Sequence, residues 1–390
     1  MRIGVDIRGF LTGKRSGIEQ YTINVLTRLI TISKDKPIVW VLFYVSYKDL
    51  DKKLEILKSD YPILNSPNVE VKSLDWPNVP LLLHFLWKIF SWPKTDKVSA
   101  GLDVMWQVSP RLLPVSSKCK TIITFHDLVF DIFPQFYNFK SRLWQWQMNY
   151  RKLGRGADKI IAVSDSTKND LVKIYNIKPE KIEVIYEGVG DEYLNEGDGV
   201  SKLGLQQKFN IPEEYLYYVG SLEPRKNLIM AVRGLNHLKA NGFDKIKLVL
   251  SGSKSWLTKD LSDEIDKLQL SNQVILTGSV TEKEKIGLLK NAKIFVFPTF
   301  YEGFGLPVLE AFACKLPVIS SNLSSIPEIA EGAAALVDPY NQNEFNEALV
   351  QTLTDPEKYS QMQDLGLKRA KEFTWGKTAE KTLKVLYGGE

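Results

Sequence analysis

Short runs of β-branched and aromatic residues recur along the first half of the chain: "RIGVDI", "IVWVLFYV", "TIITF", "KIIAVS" and "KIEVIY". Segments long enough for helices separate them, which is the pattern of parallel strands joined by crossover helices. The series breaks at "YEGVGDEYLNEGDGVSKLGL", rich in Gly and Asp, and restarts with "YLYYVGS", "KIKLVLSGS", "QVILTGS", "IFVFPT", "LPVISS" and "AALVDP". The pattern predicts an α/β chain of two doubly wound domains, 1–195 and 196–372, with the boundary near residues 190 to 205. Length agrees, because 390 residues exceed the roughly 250 to 300 at which a single core stops growing. Two such sheets leave a cleft between them, and ligands bind beyond the carboxyl ends of the strands.

Composition narrows the class. With 44% hydrophobic and 25% charged residues, the chain is that of an ordinary globular enzyme rather than a disordered, collagen-like or repeat protein. Its two cysteines, Cys119 and Cys314, fit neither a disulfide framework nor a zinc site. The opening "MRIGVDIRGF" reads as a buried strand rather than a signal peptide. A cytoplasmic protein, associated with the membrane on its cytoplasmic face if at all, is the expectation.

Charge is uneven. Residues 1 to 195 hold 28 Lys+Arg against 21 Asp+Glu, while residues 196 to 390 hold 23 against 25. The basic excess of the first half concentrates in "KSRLWQWQMNYRKLGRGADK", which is either a solvated helix face or a surface for nucleic acid, an anionic membrane or a phosphorylated substrate. No zinc finger or RNP motif accompanies it, so nucleic acid is not expected. "WPNVPLLLHFLWKIFSWP", residues 76 to 93, is too short and interrupted to span a bilayer, but its tryptophans and lysines suit an interface. Packing in the core or in an acceptor loop is the alternative to a peripheral membrane contact.

Several chemistries drop out. Gly9, Gly13 and Gly17 after the first strand do not have dinucleotide-fingerprint spacing, and no Walker A sequence is present. The D-x-D match Asp49-Leu50-Asp51 lies in a lysine-rich segment and reads as a solvated helix start rather than a metal site.

What remains is "YEGFGLPVLEAF", residues 301 to 312. A strand ends before it, and Pro307 sits where a helix's first turn tolerates it. The amides of Gly303, Phe304, Gly305 and Leu306 thus lie at a helix N-terminus, which favours phosphate. Glu302 precedes the turn and Glu310 follows it by one helical turn. Carboxylates repel phosphate but accept hydrogen bonds from hydroxyls, although either one alone could simply complement the helix dipole. "GSLEPRKNL" brings Gly220, Ser221, Arg225 and Lys226 to the end of another strand, probing the same edge with cations that can neutralise a diphosphate leaving group. A ligand built of hydroxyls, a diphosphate and further hydroxyls is a nucleotide sugar.

The set "GIEQYT", "FHDL", "VSDSTKNDL", "GSLEPRKNL" and "EGFGLPVLEA" closely resembles the retaining GT-B-fold glycosyltransferases of family GT4, especially bacterial mannosyltransferase-like members. The resemblance spans nearly the whole chain. It implies two Rossmann-like domains facing a cleft, the first binding acceptor and the second binding donor, with a terminal helix of about 373–390 packed back on the first. It implies a metal-independent hexosyltransferase with no cofactor, using GDP-mannose by preference or a UDP- or dTDP-sugar, and a glycan or lipid-linked acceptor in surface polysaccharide synthesis. In that pattern Arg225 and Lys226 bind the diphosphate, Glu302 and the following amides hold the sugar, and Glu310 takes the ribose. His126 lies against the transferred sugar, where it orients and stabilises, and Gly17 belongs to a loop lining the cleft. Two departures stand out: Gly220-Ser221-Leu222 replaces the usual G-R-L, and Glu187-Gly188-Val189 replaces Asn-Gly-Val. The alternatives are a GT-B-like epimerase or phosphorylase, or a non-catalytic sugar-nucleotide-binding protein.

Overall fold

The computed structural model describes residues 1–8, 17–46, 50–75, 80–137, 139–195, 197, 199–253 and 259–388. The chain forms two compact units, one of residues 1–132, 137–187 and 375–390, the other of residues 133–136 and 188–374.

The first unit is built on seven parallel strands: β1 (Arg2–Asp6), β2 (Val39–Ser46), β3 (Val69–Asp75), β4 (Val104–Gln107), β5 (Lys120–Phe125), β6 (Lys159–Ala162) and β7 (Ile182–Val184). They lie in the order β3-β2-β1-β4-β5-β6-β7. The apolar runs of the sequence become β1, β2, β5, β6 and β7; the first four are largely buried on both faces, as parallel strands require, whereas the edge strand β7 exposes Glu183. Two strands have no such run. β3, at the sheet edge, is broken by Glu70, Lys72 and Ser73, and Arg2 of β1 reaches Glu70 with two hydrogen bonds of 2.9 Å. β4 is only Val-Met-Trp-Gln, yet wholly buried. The helix Gly17–Ile32 buries Tyr21, Val25, Leu26 and Leu29, and the helix Trp375–Tyr387 packs on it, with the Trp375 ring 6.0 Å from that of Tyr21.

The second unit has six parallel strands: β8 (Tyr215–Val219), β9 (Lys247–Ser251), β10 (Val274–Gly278), β11 (Ile294–Phe297), β12 (Val318–Ser321) and β13 (Ala335–Val337), in the order β10-β9-β8-β11-β12-β13. Each sheet reverses its order beside its first strand, between β1 and β4 and between β8 and β11. Connections leave to opposite faces at such a point, so a crevice opens beyond the strands' carboxyl ends.

The division differs from 195/196. The chain enters the second unit at 187/188 because the segment that follows is tied there: the Val189 N–H donates to the Phe373 carbonyl at 3.1 Å, and buried Tyr193 bonds Glu282. It returns at 374/375 rather than 372/373. Phe133–Phe136 also belongs to the second unit, with Phe136 stacked 6.2 Å from Phe300 and Phe133 6.0 Å from Tyr301.

Candidate active site

In the second unit, β8 and β9 end on glycines that allow their backbones to touch. Gly252 has φ +148°, and a Cβ there would stand 1.8 Å from the Gly220 carbonyl oxygen, so no side chain fits. Next to Gly220, the Ser221 carbonyl accepts from the Tyr218 hydroxyl at 2.9 Å. The chain then makes a 3₁₀ turn, Pro224–Lys226, before Asn227, at φ +55°, opens the helix Leu228–Ala240. Arg225 and Lys226 therefore sit in this turn, just ahead of the helix.

Both cations converge on Glu302 from the connection after β11. Its Oε1 accepts from Arg225 Nη1 at 2.9 Å, Lys226 Nζ at 2.5 Å and Thr299 Oγ1 at 2.8 Å. The described hydrogen bonds to this carboxylate all fall on Oε1. Lys226 is only 5% exposed, and its ammonium also lies 4.9 Å from the Phe297 ring centroid. Burial alone would raise the Glu302 carboxyl, but the charges of Arg225 and Lys226 outweigh it and hold the group below its ordinary range. Burial lowers the Lys226 ammonium, with Arg225 adding to the effect and Glu302 opposing it.

The loop is pinned from beneath. The Glu302 N–H donates to Ser324 Oγ at 2.9 Å, and the Ser325 hydroxyl lies 2.6 Å from the Phe304 carbonyl and 3.1 Å from that of Glu302. Gly303 and Phe304 lead to Gly305, whose φ of +113° turns the chain into the helix Leu306–Ala313, with Pro307 in its first turn.

Glu310, buried within that helix, is not solitary. It accepts from Lys285 Nζ at 2.8 Å, and the same ammonium lies 3.1 Å from Glu282 Oε1. The Tyr193 hydroxyl donates to Glu282, and its ring lies 5.2 Å from the Lys285 ammonium. Two carboxylates thus share one ammonium. Burial and the neighbouring Glu282 charge raise the Glu310 carboxyl despite Lys285. Burial pulls Lys285 down, yet the two carboxylates leave it above its ordinary value.

His126 and Gly17 lie in the first unit. Gly17 is the first residue of the helix Gly17–Ile32 rather than a loop residue. His126 follows β5. Its Nδ1 lies 3.0 Å from Glu187 Oε1 and its Nε2 lies 2.9 Å from the Val108 carbonyl at the end of β4. Val108 offers only a carbonyl and Glu187 a carboxylate, so a ring protonated on both nitrogens satisfies both contacts, and the surroundings favour the imidazolium. Burial opposes that charge, but Glu187 more than compensates and raises the pKa. The Tyr21 ring stands edge-on at 4.8 Å.

The partners Glu187, Thr299, Glu282, Lys285 and Tyr193 are not among the residues that the sequence singled out for the site. Only Glu187 left a signal, as the acid in place of Asn in Glu187-Gly188-Val189. Lys285 and Tyr193 reach Glu310 through packing across 25 and 117 positions of chain. Of the D-x-D match, Asp49 and the side chains of Leu50 and Asp51 lie outside the described residues.

The family model described as Glycosyltransferase Family 4 matches residues 41–193, and that described as Glycosyl transferases group 1 matches residues 204–369. The chain belongs to the family 4 glycosyltransferases. This glycosyltransferase is 28% identical over 265 residues to the O-antigen chain mannosyltransferase B of Escherichia coli, covering 68% of this chain and 69% of that one. It is 27% identical over 266 residues to the serotype-specific mannosyltransferase WbdA of Escherichia coli, covering 67% of this chain but only 32% of the longer protein. The crystal structure of Anabaena HepE in complex with UDP and glucose matches with a TM-score of 0.73 at 18% identity, covering 100% of both chains. The glycosyltransferase has the GT-B fold expected from its sequence.

Proposed function

We propose that this glycosyltransferase moves a hexose, mannose from GDP-mannose by preference, to a glycan or lipid-linked acceptor in surface polysaccharide synthesis, with retention at the anomeric carbon. The observation that carries the proposal is the pair of charge clusters at the β8/β11 switch point and along the helix after it: Arg225, Lys226 and Glu302 in one, Glu310, Lys285 and Glu282 in the other. Engagement with Glu302 holds the guanidinium and the ammonium where a diphosphate arrives, and together with the helix N-terminus they offset the charge that grows on the leaving group. A donor hydroxyl would hydrogen-bond to Glu302, and the ribose hydroxyls to Glu310. In a front-face reaction the acceptor oxygen bonds to the anomeric carbon as the bond to the phosphate oxygen breaks. That oxygen takes the acceptor's proton. His126, when protonated as its two acceptor partners favour, has no lone pair with which to act as base, which fits an orienting and stabilising role.

Glu282, which shares Lys285 with Glu310, is the carboxylate that would meet the base beside the ribose, and it would favour guanine. The guanine edge presents two adjacent donors, N1–H and the N2 amine, which a carboxylate can accept together, whereas uracil and thymine present one N–H between two carbonyls. The names of the Escherichia coli relatives support mannose and O-antigen synthesis; the HepE complex supports a nucleoside diphosphate donor.

Incubation with GDP-mannose, UDP-glucose and a dTDP-sugar, with and without EDTA, tests the proposal through nucleoside diphosphate release. GDP formation that needs acceptor and survives chelation is expected. Preference for UDP or dTDP donors would overturn the role of Glu282, and interconversion of the sugar nucleotide without acceptor would point to an epimerase. A strict Mg²⁺ or Mn²⁺ requirement would overturn metal-independent neutralisation.

A further inference from the structure

Two segments that stand far apart in the sequence meet on the first unit and leave an apolar, basic face. The helix Pro80–Phe90 buries Leu83 and Trp87 in the cluster around Val41, Phe43, Val45 and Met105. Its opposite side is also apolar: Phe85 is 53% exposed, Ile89 57%, Phe90 63% and, just beyond the helix, Trp92 57%. The helix Phe139–Met148 adds Leu143 and Trp146, the latter 74% exposed. The Lys88 ammonium lies 5.5 Å from the centroid of the Trp146 ring and joins the two helices. Residues 80–95 and 139–157 contain no Asp or Glu, and carry Lys88, Lys94, Lys140, Arg142, Arg151, Lys152 and Arg155. No helix among the described residues is long and apolar enough to cross a membrane.

We propose that this face docks on the surface of an anionic lipid bilayer. Phenylalanine and tryptophan rings partition into the boundary between headgroup and acyl chain, while Lys88, Arg142 and their neighbours meet lipid phosphates. Asp131, which accepts from Gln145 at 3.5 Å, is an acid beside the second helix, yet the two segments keep a strong excess of positive charge, which a face covered by another protein would not need and an anionic surface selects for. The proposal is independent of donor identity. It would bring an enzyme that acts on a lipid-linked acceptor to the surface holding that acceptor.

Flotation of the whole protein with vesicles tests it, using phosphatidylcholine alone and phosphatidylcholine with about a third phosphatidylglycerol. The wild type is expected to float with the anionic vesicles and to be released by high salt. Phe90→Ser with Trp146→Ser should lower the bound fraction about tenfold, and Arg142→Glu should weaken binding most at low salt. These side chains are exposed, so melting temperatures should hold; if the double variant folds poorly, Arg142→Glu carries the test. Absence of wild-type flotation, undiminished flotation of the variants, or a dimer in solution that the double variant splits into monomers would overturn the proposal. GDP binding measured alongside separates these outcomes from failure of the donor assignment, because the variants should retain it.

Discussion

Lys226 is held between a phenyl ring and a carboxylate, and its burial gives the Glu302 contact a structural role besides the proposed catalytic one. Removing Glu302 leaves an unpaired ammonium out of water, which costs about 3–5 kcal/mol. Glu302→Ala should therefore lower the melting temperature together with turnover. Glu302→Gln keeps the shape and should show the catalytic loss with less unfolding. Arg225→Ala should lower turnover roughly ten- to a thousandfold, the scale for losing one electrostatic donor at a developing charge; near-normal turnover would remove Arg225 from the leaving-group site. His126 gives a prediction in pH. Its folded pKa lies above the ordinary 6.5, so its contribution to stability is full below about that value and is lost as pH rises through the folded pKa. Thermal melts of wild type and Glu187→Gln across pH 5 to 9 should diverge most at the acid end and converge towards the alkaline end. Parallel curves would mean that Glu187 does not hold a proton on His126.

At the level of elements, the six apolar runs of the second half all became strands: β8, β9, β11 and β12 are buried almost throughout and carry that burial in their own residues, while the edge strands β10 and β13 are half-buried. β3 was not legible, since an edge strand tolerates Glu70, Lys72 and Ser73, and β4 was too short to show a pattern. The site followed the same division. Glu302, Glu310, Arg225 and Lys226 could be read because they flank local signals, a strand end and a helix start. Lys285, Tyr193 and Glu187 could not be placed, because only packing between distant segments brings them to their partners. Backbone approach is equally silent in sequence: Gly252 looks like any turn glycine, yet its Cα faces the Gly220 carbonyl. Gly252→Ala should force the β8 and β9 ends apart and lower both the melting temperature and donor affinity. An unchanged melting temperature would show that the two strand ends can separate without cost.

The whole molecule divides its charge as it divides its chain. The half-sequence ending at residue 195 is basic and the other slightly acidic, and the terminal helix Trp375–Tyr387 returns to the first unit, where Trp375 is buried beside Tyr21. The second unit carries the two clusters assigned to the donor. The proposed donor lies with its sugar at Glu302 and its nucleoside at Glu310. Calorimetric titration with GDP of the wild type, Glu302→Gln and Glu310→Gln, with steady-state rates for each, tests that direction. Glu310→Gln should weaken GDP binding about tenfold or more, while Glu302→Gln should keep GDP affinity within a few fold and lose turnover, as for a contact that strengthens in the transition state. Loss of GDP binding in Glu302→Gln with retention in Glu310→Gln would contradict it.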